Sequence, residues 1–406
     1  MAHIYEPESE VDAAAMIAEA AQAGRALAIS GGNTRSGFGQ KVEGASFTSK
    51  RLRGITAYNP SEMTLTALAG TPVAEIEAEL AENGQMMAFE PADHRMMMGT
   101  EGVPTIGGLF ATNTSGPRRF VSGAARDNLI GIRFVNGMGE AIKSGGRVMK
   151  NVTGLDLVKL LAGSCGTLGF LTEVTFKVLP VPRAEATVVV NGLNDAEAAI
   201  AMSAALATSC EVSGAAHLPE SVRWLFGTNG LPDGPATLLR IEGVEASVVD
   251  RVKRLQPFMQ RYGAVSQIDM GDSQQIWREI RDVTPFSEDG SCKPLWRISC
   301  APSAGHQLLA ALRLETGVNA FFDWQGGLVW MQMEGDAEAD MLRAYLKRLG
   351  GGHATLIRAR DEVRAAIAAL EPQEKGVAAL SAIVKAKLDP KGIFNPGRMG
   401  FCRSQS

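Results

Sequence analysis

The period of the hydrophobic positions changes several times along the chain, and each change predicts an element. Over residues 8–24 apolar and alanine positions recur at helical spacing, with Ser9 placed as a cap ahead of Val11 and Met16. Residues 26–30 (ALAIS) form a short apolar run and predict a buried strand. Residues 55–58 and 63–69 predict paired strands around a turn at Pro60. Residues 72–83 return to the helical period, with Thr71 as the cap and Pro72 in the first turn. Strands are predicted at 130–136 and 170–179, with NGMGE (136–140) as a turn between strands. These segments predict two α+β subdomains, about 1–90 and 91–180.

Pro180, Pro182 and a shift to Ala/Val alternation mark the next boundary. Two strand–helix units follow. The first has strands at 186–190, 211–217 and 236–242 and helices at 195–208 and 246–262. The second has a strand at 295–300, a helix at 303–315 and strands at 321–324 and 328–333 around Gln325-Gly326-Gly327. Helices on one face of an antiparallel sheet are the economical way to bury such strands. The region 181–371 is therefore expected to be a separate α+β domain, followed by a final helix at 372–388.

Composition narrows the class. A chain of 406 residues, 45% hydrophobic and 21% charged, holds two or three domains with real cores. A net charge of −4 offers no basic surface for nucleic acid. The start, MAHIYEPESEVDAAAM, is acidic where a secretion signal is basic, and no apolar run approaches the ~20 residues of a membrane span. The expected compartment is the cytoplasm. Five cysteines, an odd number without a C-x-x-C pair, predict neither a disulfide framework nor a zinc or iron–sulfur site held by this chain alone. Five scattered histidines without an H-x-x-x-H pair predict no bound metal. No G-x-G-x-x-G opens a helix and no P-loop occurs, which argues against a nicotinamide enzyme.

The candidate chemistry lies in loops of small residues. SGGNTRSGFG (30–39) follows the predicted strand ALAIS, and PTIGGLFATNTSG (104–116) lies about seventy residues on. Glycine lets main-chain N–H groups approach a ligand directly, and consecutive N–H groups form an anion-binding nest. A diphosphate fits such a nest, with Arg35 as counter-charge, and Thr, Asn and Ser add short hydrogen-bonding arms. The natural occupant is a large polar cofactor.

These two loops, with NVTGLDLVKLLAGSCGTLGFLTEVTFKVLP (151–180) and LDPKGIFNPGRM (388–399), resemble the FAD-linked oxidases of the vanillyl-alcohol-oxidase type. The details look most like the FAD-binding subunits of bacterial glycolate oxidases. The resemblance implies a two-subdomain FAD-binding domain of the p-cresol-methylhydroxylase (PCMH) type over 1–180. It implies a substrate-side cap over 181–371, and a segment over 372–406 that returns to the flavin domain. It implies that Gly31, Gly32, Asn33, Thr34, Arg35 and Ser36 hold the pyrophosphate. Thr105, Ile106, Gly107 and Gly108, with Ala111, Thr112, Asn113, Thr114 and Ser115, lie along the ribityl chain and isoalloxazine. Gly163, Ser164, Cys165, Gly166, Thr167 and Gly169 approach from the other side. Glu173 and Val174 meet the adenine, and Asn395 and Arg398 close over the ring system.

Departures from the family pattern shape the functional expectations. Cys165 stands where many relatives have glutamate, and it reads as a small packed residue beside the flavin. No histidine lies in 30–39, so non-covalent FAD is expected. His94 is the nearest alternative attachment site, in surroundings that read as a polar loop. The metal motif of the sister catalytic subunit is missing; HATLIRA (353–359) occupies that region. Three functions stay open. The chain could be a 2-hydroxy-acid dehydrogenase, with Arg240 or Arg297 gripping the substrate carboxylate and no residue standing out as the base. It could be an FAD-bearing relay or assembly subunit beside a homologous flavin subunit and an iron–sulfur subunit. It could be a scaffold that has lost its cofactor. Sugar and aromatic-alcohol oxidases are rivals within the superfamily.

Overall fold

The computed structural model describes residues 4–146 and 155–400; Lys150 to Gly154 of the glycine-rich stretch, and Cys402, lie outside the described residues. The helix Glu10–Gln22 starts where Ser9 accepts the Asp12 N–H at 3.1 Å. Its buried residues Ala13, Ile17 and Ala20 follow the helical period and pack beside Phe47 and Phe170. The helix Val73–Glu82 buries Val73, Ile76 and Leu80 in the same way. Thr71 does not cap it: its hydroxyl instead donates to the Leu68 carbonyl at 2.7 Å.

Leu27–Ser30, Ala45–Thr48 and Ile4–Tyr5 form a small parallel sheet. A five-stranded antiparallel sheet runs in the order Ile55–Asn59, Thr64–Leu68, Phe170–Lys177, Leu129–Val135, Ala141–Gly145. That sheet takes strands from both sides of residue 90, so the seam expected there is not a boundary between sheets. The predicted strand at 170–179 also divides. Leu179–Pro180 leaves the sheet and pairs with Gln85–Met86.

The cap is one eight-stranded, wholly antiparallel sheet. Its strands run in the order Ala264–Ile268, Ala184–Asn191, Ala236–Gly243, Gly214–Leu218, Val318–Asp323, Leu328–Met333, Leu295–Cys300, Gly352–Arg358. Each half is a split β-α-β arrangement: a strand inserts between the two strands that a helix connects. The halves join at His217 opposite Phe322. One face carries Val188, Val190, Trp296 and Met331 under the helices Asp195–Leu206, Glu245–Met259, Gly305–Leu312 and Ala339–Arg348. The other, with Val189, Leu328 and Trp330, packs on Phe38 and Met97 of the N-terminal domain and on the helix Met270–Asp282. That second face makes the ceiling of the site.

No described helix is long and apolar enough to cross a membrane. The last helix, Lys375–Leu388, precedes a return segment. The Leu27 N–H donates to the Ile393 carbonyl at 2.8 Å, and Phe394 bridges Leu27 in parallel.

Candidate functional site

The strand Leu27–Ser30 delivers the chain into Gly31, Gly32, Asn33, Thr34, Arg35 and Ser36, which form one wall of a cleft. Thr105, Gly107, Gly108, Ala111 and Thr112 form the facing wall. Ser164, Cys165, Gly166 and Gly169 close one end, and Arg398 lies at the rim. The two loops and the return segment, far apart in sequence, thus meet in one place. The remaining predicted residues sit differently. Ile106 is in the apolar core. The Gly163 N–H bonds the Phe110 carbonyl at 3.0 Å, and the Thr167 hydroxyl bonds the Ser164 carbonyl at 2.7 Å. Glu173 and Val174 lie further along the central strand, outside the lining, where Phe170 and Leu171 contribute instead.

The cleft suits a dinucleotide. A Cβ on Gly32 would stand 1.5 Å from the Val103 carbonyl oxygen, so only glycine keeps the wall where it is. The N–H groups of Gly32 to Ser36 find no main-chain acceptor among the described residues, while Asn33 adopts φ +59°. Such a bend of free donors is an anion nest. Arg35 is 7% exposed, gives one Nη to the Ala92 carbonyl at 2.8 Å, and keeps a buried Nε without a described partner. Burial pushes its pKa down to about 10, despite nearby Asp93 and Asp282. These are unsatisfied donors beside a cation that no direct ion pair holds, which a diphosphate would satisfy. The Cys165 thiol is pushed up by burial, which suits a packed neutral side chain rather than a thiolate.

Asn395 ties the return segment to the cleft. Its side chain accepts from the Ile29 N–H at 2.8 Å and donates to the Cys165 carbonyl at 2.7 Å. Arg398 reaches the Phe38 carbonyl at 3.0 Å. Lys385 adds bonds to the Thr167 and Phe394 carbonyls at 2.6 and 2.9 Å.

A second cavity lies between this domain and the cap, and Thr112 lines both. Asn113, Thr114 and Ser115 face this one, together with Phe38, His94 and Arg119. The cap supplies Arg297, Asp323, Leu328, Trp330 and His353. Among the described residues no carboxylate or hydrogen-bond acceptor holds Arg297, whose guanidinium carbon lies 5.2 Å from the Trp324 ring centre. Burial, reinforced by Arg119, pushes it down to about 10. Burial likewise pushes Asp323 up to about 7, against the Trp324 N–H and the arginines.

Arg240, the other arginine singled out by sequence, lines neither cavity. It is 1% exposed and grips Glu90 through two bonds of 2.7 and 3.1 Å, with Glu242 at 3.4 Å. Arg118 completes the network by bonding Glu242 and, through its N–H, Glu90 at 2.7 Å. Arg240 is thus an internal ion pair holding cap to flavin domain, with no grip left for a substrate.

His94 does not lie in a polar loop. It is 3% exposed and stands between the rings of Phe38 at 5.6 Å and Trp330 at 6.1 Å, its Nδ1 without a described partner. Burial, with Arg35 and Arg297, keeps its pKa well below the usual imidazole value, so it is neutral at pH 7. Sequence reasoning missed Arg119, Asp323 and Trp324. The available signals were the arginine pair Arg118–Arg119 just beyond the second glycine loop and the FFDWQGG hairpin turn, whose Trp324 indole reaches Gly116 of that loop.

Comparison with known proteins agrees with this geometry. A family model described as an FAD binding domain matches residues 1–145. The chain is 34% identical over 377 residues to glycolate oxidase subunit GlcE of Escherichia coli (strain K12), covering 92% of each protein. It is 24% identical over 383 residues to glycolate oxidase subunit GlcD of Bacillus subtilis (strain 168), covering 86% of this chain and 78% of that one. Among solved structures, p-cresol methylhydroxylase with substrate bound superposes with a TM-score of 0.72 at 13% identity, over 99% of this chain and 89% of that chain, a likeness of fold. With FAD as its cofactor, the chain belongs to the family of FAD-linked oxidoreductases that includes the GlcE subunit.

Proposed function

We propose that this chain is the FAD-binding subunit of a multi-subunit glycolate oxidase and takes part in oxidising glycolate, or a similar small 2-hydroxy acid, to the 2-oxo acid. Its partners are a homologous FAD-containing catalytic subunit and an iron–sulfur subunit, and its place is the cytoplasm. The names of the GlcE and GlcD relatives support this reading. The observation that carries it is Arg297: a half-buried guanidinium without an ion pair, in a cavity that shares Thr112 with the cofactor cleft.

Bound FAD, held without a covalent link by the nest of Gly31 to Ser36 and the facing loops, supplies two-electron acceptance at a C–H bond. Arg297 grips the substrate carboxylate, since a guanidinium presents a planar fork to two oxygens. Neutral His94 offers its free Nδ1 as acceptor for the hydroxyl proton. Phe38 and Trp330 hold the imidazole ring in place. The Thr112 hydroxyl bonds Gly108 and Thr114, which keeps the shared wall in shape.

The test is an anaerobic glycolate titration of the purified, FAD-loaded chain, followed through its visible flavin band. Bleaching supports substrate oxidation by this subunit. A band that persists until the partner subunits are added assigns the chemistry to the partner and leaves this chain a relay or assembly role.

A further inference from the structure

Two arginines, not one, line the cap-side cavity without an ion pair, beside Asp323, whose carboxyl burial pushes up to about 7. Arg119 comes from the flavin domain and Arg297 from the cap. Their guanidinium carbons lie 4.3 and 5.2 Å from the centre of the same ring, that of Trp324. Among the described residues neither makes an ion pair or donates to an acceptor. Arg281, the remaining arginine of the lining, is neutralised by Asp282 at 2.8 Å.

Trp324 is held with unusual care. Its φ is +49°, a left-handed conformation that costs a bulky residue strain. Its N–H donates to Asp323 Oδ1 at 2.7 Å and its indole N–H to the Gly116 carbonyl at 3.0 Å. The ring is thereby fixed from both domains at once.

We propose that Arg119 and Arg297 form a two-armed clamp for a single small carboxylate, with Trp324 as the plate that sets both guanidinia; this rests on the reading of the cavity as the site of a carboxylate substrate. A carboxylate has two oxygens with about four acceptor positions, enough for two forks. Because the third arginine is already paired, the clamp selects monocarboxylic 2-hydroxy acids over dicarboxylic ones. Because one arm belongs to each domain, the carboxylate also joins cap to flavin domain. Trp324 is a positioning residue in this scheme.

The probe is oxamate, a small monocarboxylate that cannot be oxidised as a 2-hydroxy acid. It is titrated into the FAD-loaded full chain and read by the flavin difference spectrum and by the thermal midpoint. Arg119→Met and Arg297→Met are each expected to weaken oxamate by about 10–100-fold, in line with loss of charge-assisted hydrogen bonds. The double variant should lose less than the product of the two, because both arms hold one group. Arg119→Lys should recover part of the affinity, and flavin content should match the unaltered chain throughout. Wild-type oxamate affinity in Arg119→Met, or failure of the unaltered chain to bind oxamate, overturns the clamp. Weakened oxamate in both Met variants together with no bleaching by glycolate, alone or with partners, keeps the clamp and removes the proposed function. Bleaching by glycolate with unchanged oxamate affinity in Arg119→Met does the reverse.

Discussion

Replacing Arg240 with methionine separates a structural arginine from a substrate-binding one. In the intact protein Arg240 and Arg118 face Glu90 and Glu242, so the buried network is close to neutral. Burial alone would raise both carboxyls, but Arg240 and Arg118 hold Glu90 below its ordinary value and Glu242 at about 2. Glu185, at about 7, sits in the same field. Removing Arg240 leaves two buried carboxylates sharing one arginine. Breaking a buried pair from one side costs about 3–5 kcal/mol. At roughly 2 °C per kcal/mol for a chain of this size, the apparent midpoint should fall by about 6–10 °C at pH 7.5. The sign with pH follows from the depressed carboxyls. Their contribution is present above the unfolded value near 4.5 and is lost as pH falls below it, for Glu242 through about 2. In Arg240→Met those carboxyls titrate higher, so protonation relieves the variant first, and the gap between the two midpoints should narrow from pH 7.5 to pH 5. Thermal unfolding followed by flavin fluorescence measures both effects, with oxamate affinity as the control. A midpoint within about 1 °C of the unaltered protein, combined with lost oxamate binding, would refute the ion-pair account and return Arg240 to the substrate.

Two further outcomes follow from the cleft and the cavity. Gly32→Val puts side-chain atoms where Val103 already stands, so flavin affinity should fall at least about tenfold; a flavin-to-protein ratio equal to that of the unaltered chain would refute the tight nest. Asp323, neutral below about 7, ionises above it beside Arg297 and then competes for that guanidinium, so oxamate affinity should weaken as pH rises through 7. Asp323→Asn should flatten that profile, and a slope that persists in the variant assigns it to another group.

The flavin domain was largely readable because its signals are local. A cap residue, a glycine loop after an apolar run and a helical period each act within a few residues, and Ser9, Gly32 and the Ile76–Leu80 pair behave as their spacing suggests. The cap was readable where strands are apolar, as in Ala236–Gly243, and unreadable where they are not. Ala264–Ile268 is a half-exposed edge strand of five residues with little alternation. Gly352–Arg358 begins on the last of three glycines, and the helix Met270–Asp282 hides its stripe of Ile276, Trp277 and Ile280 among polar residues. The split arrangement of the two halves leaves no repeat in the sequence. It is a property of strand order, which pairing decides. The site divides similarly. Residues lining the cofactor cleft carry glycine's signature, whereas Arg119, Arg297 and His94 acquire meaning only from what does not pair with them, and a single sequence carries no record of missing partners.

Asn395 binds Ile29 across 366 positions of chain. A ribosome adding about 5–20 residues per second needs roughly 20–70 s to make that interval. During it the phosphate loop exists without its rim, and the edge of strand Leu27–Ser30 lies open to stray pairing. Flavin loading is thus a late event, after synthesis has passed Asn395, and a nascent chain stalled before that point would carry an unfinished cofactor site and a sticky strand together. Quality control that recognises the bare strand would in effect be counting flavin.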